Sequence, residues 1–376
     1  MAEVAERAQA AVPPQGAPDV PESPALETWR RFTRHGVGVV ALGVVLVLFA
    51  LSFLGRFLVA SDPFVQHRDA AYWPPQRVRI IDAEGRLTRP FVYGFERALH
   101  PETFQWEYAV DESNVTELAL FARGPVYRVL WLFDWDVHLV GTVDGAPVFF
   151  LGTDRFGRDL LARLLWGGMV SLSVPVLAVA ITVLLGTLIG AMSGYFGGWV
   201  DNLIQRVIEV LASFPRLPLW MALAAVIPPE FQGVALYAGM AVILAIIGWG
   251  RLARQVRGKV LQLRQMEYVV GARALGASPW RVIGKYIVPN ASSHIIVMAT
   301  LYVPEYLLVE SSLSFLGIGL TPPLTSWGVL LSDAQKVRVV LQYPWLLIPG
   351  LFICVAMLAF NFVGDAVRDA FETRHL

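Results

Sequence analysis

Six apolar runs, each long enough to cross a bilayer as a helix, constrain this chain more than any other feature of its sequence. They cover about residues 37–60, 169–195, 203–227, 234–252, 295–320 and 343–364. A crossing helix needs about 20 mostly apolar residues. Inside lipid every backbone N–H and C=O must find its partner within the protein, which selects helix over open sheet. The chain is 56% hydrophobic and 16% charged, against roughly 45–50% and 25% in a soluble domain. The expectation is an all-α integral membrane protein with six transmembrane helices. Pro215 and Pro218 in the third run and Pro304 in the fifth are expected to kink their helices, because neighbouring helices can satisfy the backbone groups a proline frees.

The segments between the runs set the organisation. Residues 1–35 are rich in Pro and Ala, lack apolar periodicity, and read as a disordered tail. Arg30, Arg31 and Arg34 then precede a run, 36–60, that is too long for a cleaved signal peptide and reads as an uncleaved anchor. Arg251, Arg254, Arg257, Lys259, Arg264, Arg273, Arg281 and Lys285 are opposed only by Glu267, which places that connection in the cytoplasm. Both termini then fall inside and the long loop 61–166 falls outside. Alternation around residues 82–85 predicts a small β-containing unit, so that loop reads as an inserted extracytoplasmic α+β domain. Near its end, Phe156, Leu160, Leu161, Leu164 and Leu165 recur at helical spacing, with Arg155, Arg158, Asp159 and Arg163 opposite, as in an amphipathic interfacial helix. A core of five helices over 167–366 and a cytoplasmic tail over 367–376 complete the chain.

Several chemistries are disfavoured. His67, His100 and His138 have no metal-ligand spacing, so no metal is expected. Asp134 and Asp136 flank a tryptophan without an accompanying nucleophile or base. The single cysteine, Cys354, lies in an apolar run, which rules out an intrachain disulfide and suggests inert packing. No GxxxxGK[ST] phosphate loop occurs, so any nucleotide hydrolysis belongs to another chain.

The connection 257–290 is punctuated more sharply than an ordinary basic loop. Nothing breaks a helix from Lys259 to Ala274; Gly276 then reads as a stop, Ser278 as an N-cap and Pro279 as a first helical residue. Pro289 is expected to close this second short helix before the fifth run. Small residues at Gly271, Ala272, Gly276 and Ala277 would let another backbone come close.

Here the sequence resembles a known family. "EYVVGARALGASPWRVIGKYIVPN", 267–290, is similar to the EAA loop of ABC-importer permeases, with Glu267 at the Glu position and Gly276 at the later Gly. Tyr268 and Val269 replace the two alanines, a departure found in the peptide branch. "FLGTDRFGRDLLARLLWG" from Phe150, "SGYFGGWVD" from Ser193, "SLSFLGIGLTPPLTSWGVLL" from Ser312 and "NFVGDAVRDAF" from Asn361 resemble the C-type permeases of dipeptide, oligopeptide and nickel importers.

The resemblance implies the type I importer permease fold in a bacterial plasma membrane. It also implies a homologous second permease, two ATP-binding subunits, an extracytoplasmic solute-binding protein, and a peptide or other small solute. ATP and Mg²⁺ would sit on the partners, with no cofactor in this chain and no nucleic-acid role. Coupling to the ATPase would fall to Glu267, Gly271, Ala272, Ala274, Leu275, Gly276, Ala277 and Ser278.

Carboxylates inside apolar runs are costly and mark either a hydrated path or a buried partner. Glu305 and Glu310 are the candidates for a translocation path, a structural arginine pair being the alternative for Glu305; Glu209 has Arg206 three residues away. A different class of function, an intramembrane protease using Ser311 or Ser314 with His294, fails on distance: the residues lie about 26 Å or more apart along one helix. A receptor or scaffold would not need the capped cytoplasmic segment.

Overall fold

The structure, a computed structural model, describes residues 24–82, 85–99, 101–102, 106–129, 133–228 and 230–372. Residues 1–23 of the expected tail, residues 373–376 and His100 lie outside these. Among the described residues, five helices are long and apolar enough to cross a membrane, or six if one bent pair counts as a single span.

After a short helix α1 (Pro24–Arg34), the first span is α2 (Gly36–Phe53), about 27 Å long at 1.5 Å per residue, close to the hydrocarbon thickness. It ends in a one-turn helix α3 (Gly55–Leu58) that leads into a four-stranded antiparallel meander. Its strands are β1 (Arg79–Ile81), β2 (Leu87–Leu99), β3 (Trp106–Val129) and β4 (Phe133–Thr142). The sheet is tied back to the span: Val59 bridges Val140, and the buried His138 sits between the carbonyls of Arg56 (Nδ1, 2.5 Å) and Pro125 (Nε2, 3.0 Å). Asp134 and Asp136 form exposed ion pairs with Arg128 (3.2 Å) and Arg123 (3.8 Å) on the neighbouring strand.

The second span corrects the sequence expectation. No separate interfacial helix precedes it; a single helix α4 runs over Leu160–Phe196, capped by the Asp159 side chain accepting from the Leu161 N–H at 2.9 Å. The Gly167–Gly168 pair does not break it, because both glycines lie where Ser326, Ser52 and Trp327 press close. Arg163, expected on a polar face, is buried and paired with Asp154.

The third span is broken rather than kinked. Helices α5 (Gly198–Ala212) and α6 (Arg216–Ala224) meet at 89°. Pro215 takes the cap position of α6, where it has no amide to donate and can lie outside the α5 ladder, while Pro218 falls harmlessly in the first turn.

The fourth span, α7 (Val234–Leu263), packs along α4 through Gly186, Gly190 and Gly194, spaced four apart. A Cβ on Gly190 would press on the backbone of Ala253, with Cα at 2.8 Å, so only glycine allows this approach.

Beyond α8 (Glu267–Ala274), a one-turn helix α9 (Pro279–Val282) continues through a π-helical turn (Ile283–Ile287) into α10 (Val288–Phe315). Pro289 therefore does not close a helix. A π turn just before it widens the ladder where a proline ring would otherwise strike the carbonyl four residues back. Pro304 likewise leaves α10 continuous. The chain finishes with α11 (Trp327–Leu331), α12 (Val337–Gln342) and the last span α13 (Ile348–Glu372). Cys354 on α13 is exposed rather than packed.

Candidate functional site: the segment 267–278 and the charges between spans

Helix α8 stops by the hydrogen bonding its sequence anticipates. The Ala277 N–H reaches the Ala272 carbonyl at 3.1 Å and the Gly276 N–H reaches that of Arg273 at 3.0 Å, the paired bonds of a Schellman turn. Gly276 closes it at φ +81°, and a Cβ there would meet nothing within 4 Å. The glycine is required by backbone conformation and not by crowding within this chain. Ser278 takes the N-cap position before Pro279, in extended conformation but without the expected side-chain bond.

Burial divides the segment. Val269 and Ala272 face the core, while Glu267, Tyr268, Val270, Gly271, Arg273 and Ala274 are exposed, as are Gly276 and Ser278. Leu275 is 91% exposed and Trp280 56%, an unusual outward placement for large apolar side chains. Glu267 stands in the first turn, where a carboxylate complements the helix dipole.

The platform behind this segment is held by charge. Arg257 on α7 grips Asp201 on α5 through two bonds of 2.5 Å, and Ser193 donates to the same carboxylate. Arg264 caps the last carbonyls of α4 at Gly194 (3.1 Å) and Tyr195 (3.5 Å). Thus the "SGYFGGWVD" stretch supplies the turn and the acid, and the basic connection supplies both arginines.

The two candidate path carboxylates have unlike surroundings. Glu305 is partly exposed and bridges Arg216, at the break in the third span (3.2 Å), to Arg251 on α7. Arg251 also donates to the Tyr302 hydroxyl at 3.1 Å and lies over its ring at 4.4 Å. Glu310 is wholly buried and surrounded by hydroxyls: Ser314 (2.9 Å) and Ser311 (3.3 Å) on its own helix, with Ser171 and Ser326 from outside it. Ser171 also accepts the Trp327 amide (2.9 Å) and Ser326 the Val329 amide (3.2 Å), so these hydroxyls link helix backbone to carboxylate. Arg206 and Glu209 form an exposed pair at 2.8 Å.

Sequence reasoning offered an arginine pair for Glu305 but did not single out Arg216 and Arg251 as the partners. It also missed Asp154. In the loop "GTDRFGRD" this buried carboxylate accepts the amides of Phe156 (2.8 Å) and Arg158 (3.0 Å), the Arg158 guanidinium (2.7 Å) and that of Arg163. No group of three or more His, Cys, Asp or Glu suited to a metal occurs among the described residues.

Comparison with known proteins places this arrangement. The family model described as "Binding-protein-dependent transport system inner membrane component" matches residues 186–375, and that for the "N-terminal TM domain of oligopeptide transport permease C" matches residues 23–75. The oligopeptide transport system permease protein OppC of Haemophilus influenzae is 41% identical over 243 residues, covering 64% of this chain and 75% of that protein. OppC of Bacillus subtilis is 39% identical over 226 residues (60% and 72%), and the dipeptide permease protein DppC of the same organism 39% over 227 (60% and 68%). The chain is a multi-pass membrane protein that belongs to the family of binding-protein-dependent transport system inner membrane components, the permeases of ABC transporters.

Proposed function

We propose that this chain forms half of the membrane path of an ATP-driven peptide importer and performs no hydrolysis itself. The observation that carries the reading is the segment from α8 into α9: a short helix whose stop is conformationally locked at Gly276, with Leu275 just after it and Trp280 on α9 turned outward beside the charge-clamped platform of α4, α5 and α7. Such a surface suits a groove on an ATP-binding subunit, and α8 together with the turn to Ser278 is the coupling segment. ATP and Mg²⁺ bind to two such subunits, and no cofactor belongs to this chain. A second, homologous permease completes the path. The basic connection lies in the cytoplasm of a bacterium, with both termini. The sheet faces outward, where a solute-binding protein delivers the peptide. The path runs past Glu305, with Glu310 in its wall. Peptide as solute follows from the substrates in the relatives' names.

Reconstitution of the chain with its second permease, ATP-binding subunits and binding protein should give ATP-dependent uptake of a labelled peptide into vesicles. Equal uptake with this chain omitted would overturn the reading. Orientation is tested separately, in a Cys354→Ser background: cysteines at Asp82 or Gly145 should react with an impermeant thiol reagent from outside, and one at Arg264 only after permeabilisation. The reverse pattern would invert the topology.

A further inference from the structure

Beside the break in the third span lies a cavity of about 320 Å³. Ile208 and Leu211 form an apolar side; Arg216, Arg251, Arg254 and Gln255 form the polar side. We propose that this cavity is a carboxylate subsite that receives the C-terminal carboxylate of a peptide leaving the path; this rests on the importer reading above.

Charge balance points to an anion. Three arginines line the cavity, and one carboxylate outside its lining, Glu305, answers two of them. Arg254 forms no ion pair with any described residue, so the group carries a formal charge of 3 − 1 = +2. Arg251 and Arg254 stand 17 and 20 residues from the Val234 end of α7, about 26 and 30 Å along it, toward the far side of a hydrocarbon layer about 30 Å thick. Arg254 is exposed at that end, so its guanidinium is open to an anion. A planar guanidinium fits a carboxylate in two parallel bonds.

A peptide with a free end carries one such carboxylate whatever its sequence, so the subsite recognises peptides as a class. The cavity is too small to enclose a diacyl phospholipid. An isolated Glu305 would favour amines; held by Arg216 and Arg251, it leaves the cavity with the opposite preference.

The test uses the complete transporter in vesicles and two labelled peptides of one sequence, with a free or an amidated C-terminus. Both are supplied at concentrations that saturate the binding protein, so that their uptake ratio reports translocation. Wild type should favour the free acid. Arg254→Gln should lower the ratio about fivefold, about 1 kcal/mol, and Arg254→Lys should keep it. Where Arg254→Gln fails to assemble, Gln255→Glu, which adds a carboxylate to the wall, should lower the same ratio.

A ratio unmoved by Arg254→Gln or Gln255→Glu while uptake persists overturns the subsite. Absence of ATP-dependent uptake of either peptide by wild type overturns the importer reading instead. Equal loss of both peptides, with phospholipid retained by wild type and lost from Arg254→Gln in native mass spectrometry, assigns the cavity to lipid and also overturns the subsite.

Discussion

Replacing Gly276 separates two reasons for a glycine in the proposed coupling segment. With φ at +81° and no atom within 4 Å of where a Cβ would stand, a substituent meets no steric contact inside this chain; the whole intramolecular cost is backbone strain. For alanine that is about 1–2 kcal/mol, partly offset because alanine also restricts the unfolded segment, by about 0.4–1 kcal/mol. A net cost near 1 kcal/mol lowers the population of the closed turn about fivefold. Asparagine tolerates the left-handed region better than alanine, and β-branched valine tolerates it worst. If conformation rules, retention of the ATP-binding subunits on the purified permease, measured by titration in detergent, should fall in the order Gly, Asn, Ala, Val. If the glycine instead makes room for a partner's backbone, the order follows size: Gly, Ala, Asn, Val. Asparagine binding more weakly than alanine would therefore refute strain as the cause, and valine equal to glycine would remove Gly276 from the coupling segment.

Burial pushes the Asp159 carboxyl up to about 7, so the folded chain holds its proton more tightly than the unfolded one. The stability this confers is complete below about pH 4 and lost as pH rises through 7. Asp159→Asn keeps the cap, so its apparent Tm should exceed wild type at pH 8 and match it at pH 4; a difference independent of pH would refute this. Arg163→Met leaves the buried Asp154 with Arg158 as its remaining cation and should cost about 3 kcal/mol or more, seen as loss of monodisperse protein in size-exclusion chromatography. The double variant with Asp154→Asn should recover most of it, and a harmless single variant would contradict the pairing. Gly190→Ala should force α4 from α7 and cost about 1–3 kcal/mol, whereas Gly271→Ala, in open space, should leave thermal stability unchanged; equal effects would show that the close approach is not structural.

How legible each part is in the sequence depends on how local its cause is. The stop at Gly276 and the first-turn place of Pro279 follow from neighbouring residues and can be read directly. Helix continuity across Leu160–Phe196 is misread because the change from charged to apolar neighbours resembles a boundary, although nothing between them breaks a helix. The arginines there look solvent-facing because their acid, Asp154, sits in the preceding loop, nine residues before Arg163. Pro215 and Pro304 look alike in sequence, yet one stands at an 89° break and the other inside a continuous helix. The close approach of α4 to α7 is visible in Gly186, Gly190 and Gly194, whose spacing of four marks one helix face, but the opposing helix is not.

Glu305 shows the limit most clearly. Its sequence position establishes that a carboxylate lies deep in a span and must be compensated, but its partners lie 54 and 89 residues away on two other helices. Five residues further along the same helix, Glu310 meets the same demand with serine hydroxyls and forms no ion pair among the described residues. Hydroxyls can satisfy a carboxylate's lone pairs without adding charge, whereas guanidinium groups satisfy them and change the sign of their surroundings. The first solution makes a wall between α10, α4 and α11 that holds no added positive charge. The second, with Arg254 beside it, makes a positive cavity at the break in the third span. Two glutamates five residues apart on one helix thereby have opposite electrical consequences: serines beside Glu310 in the sequence help to satisfy one, and arginines from two other helices satisfy the other.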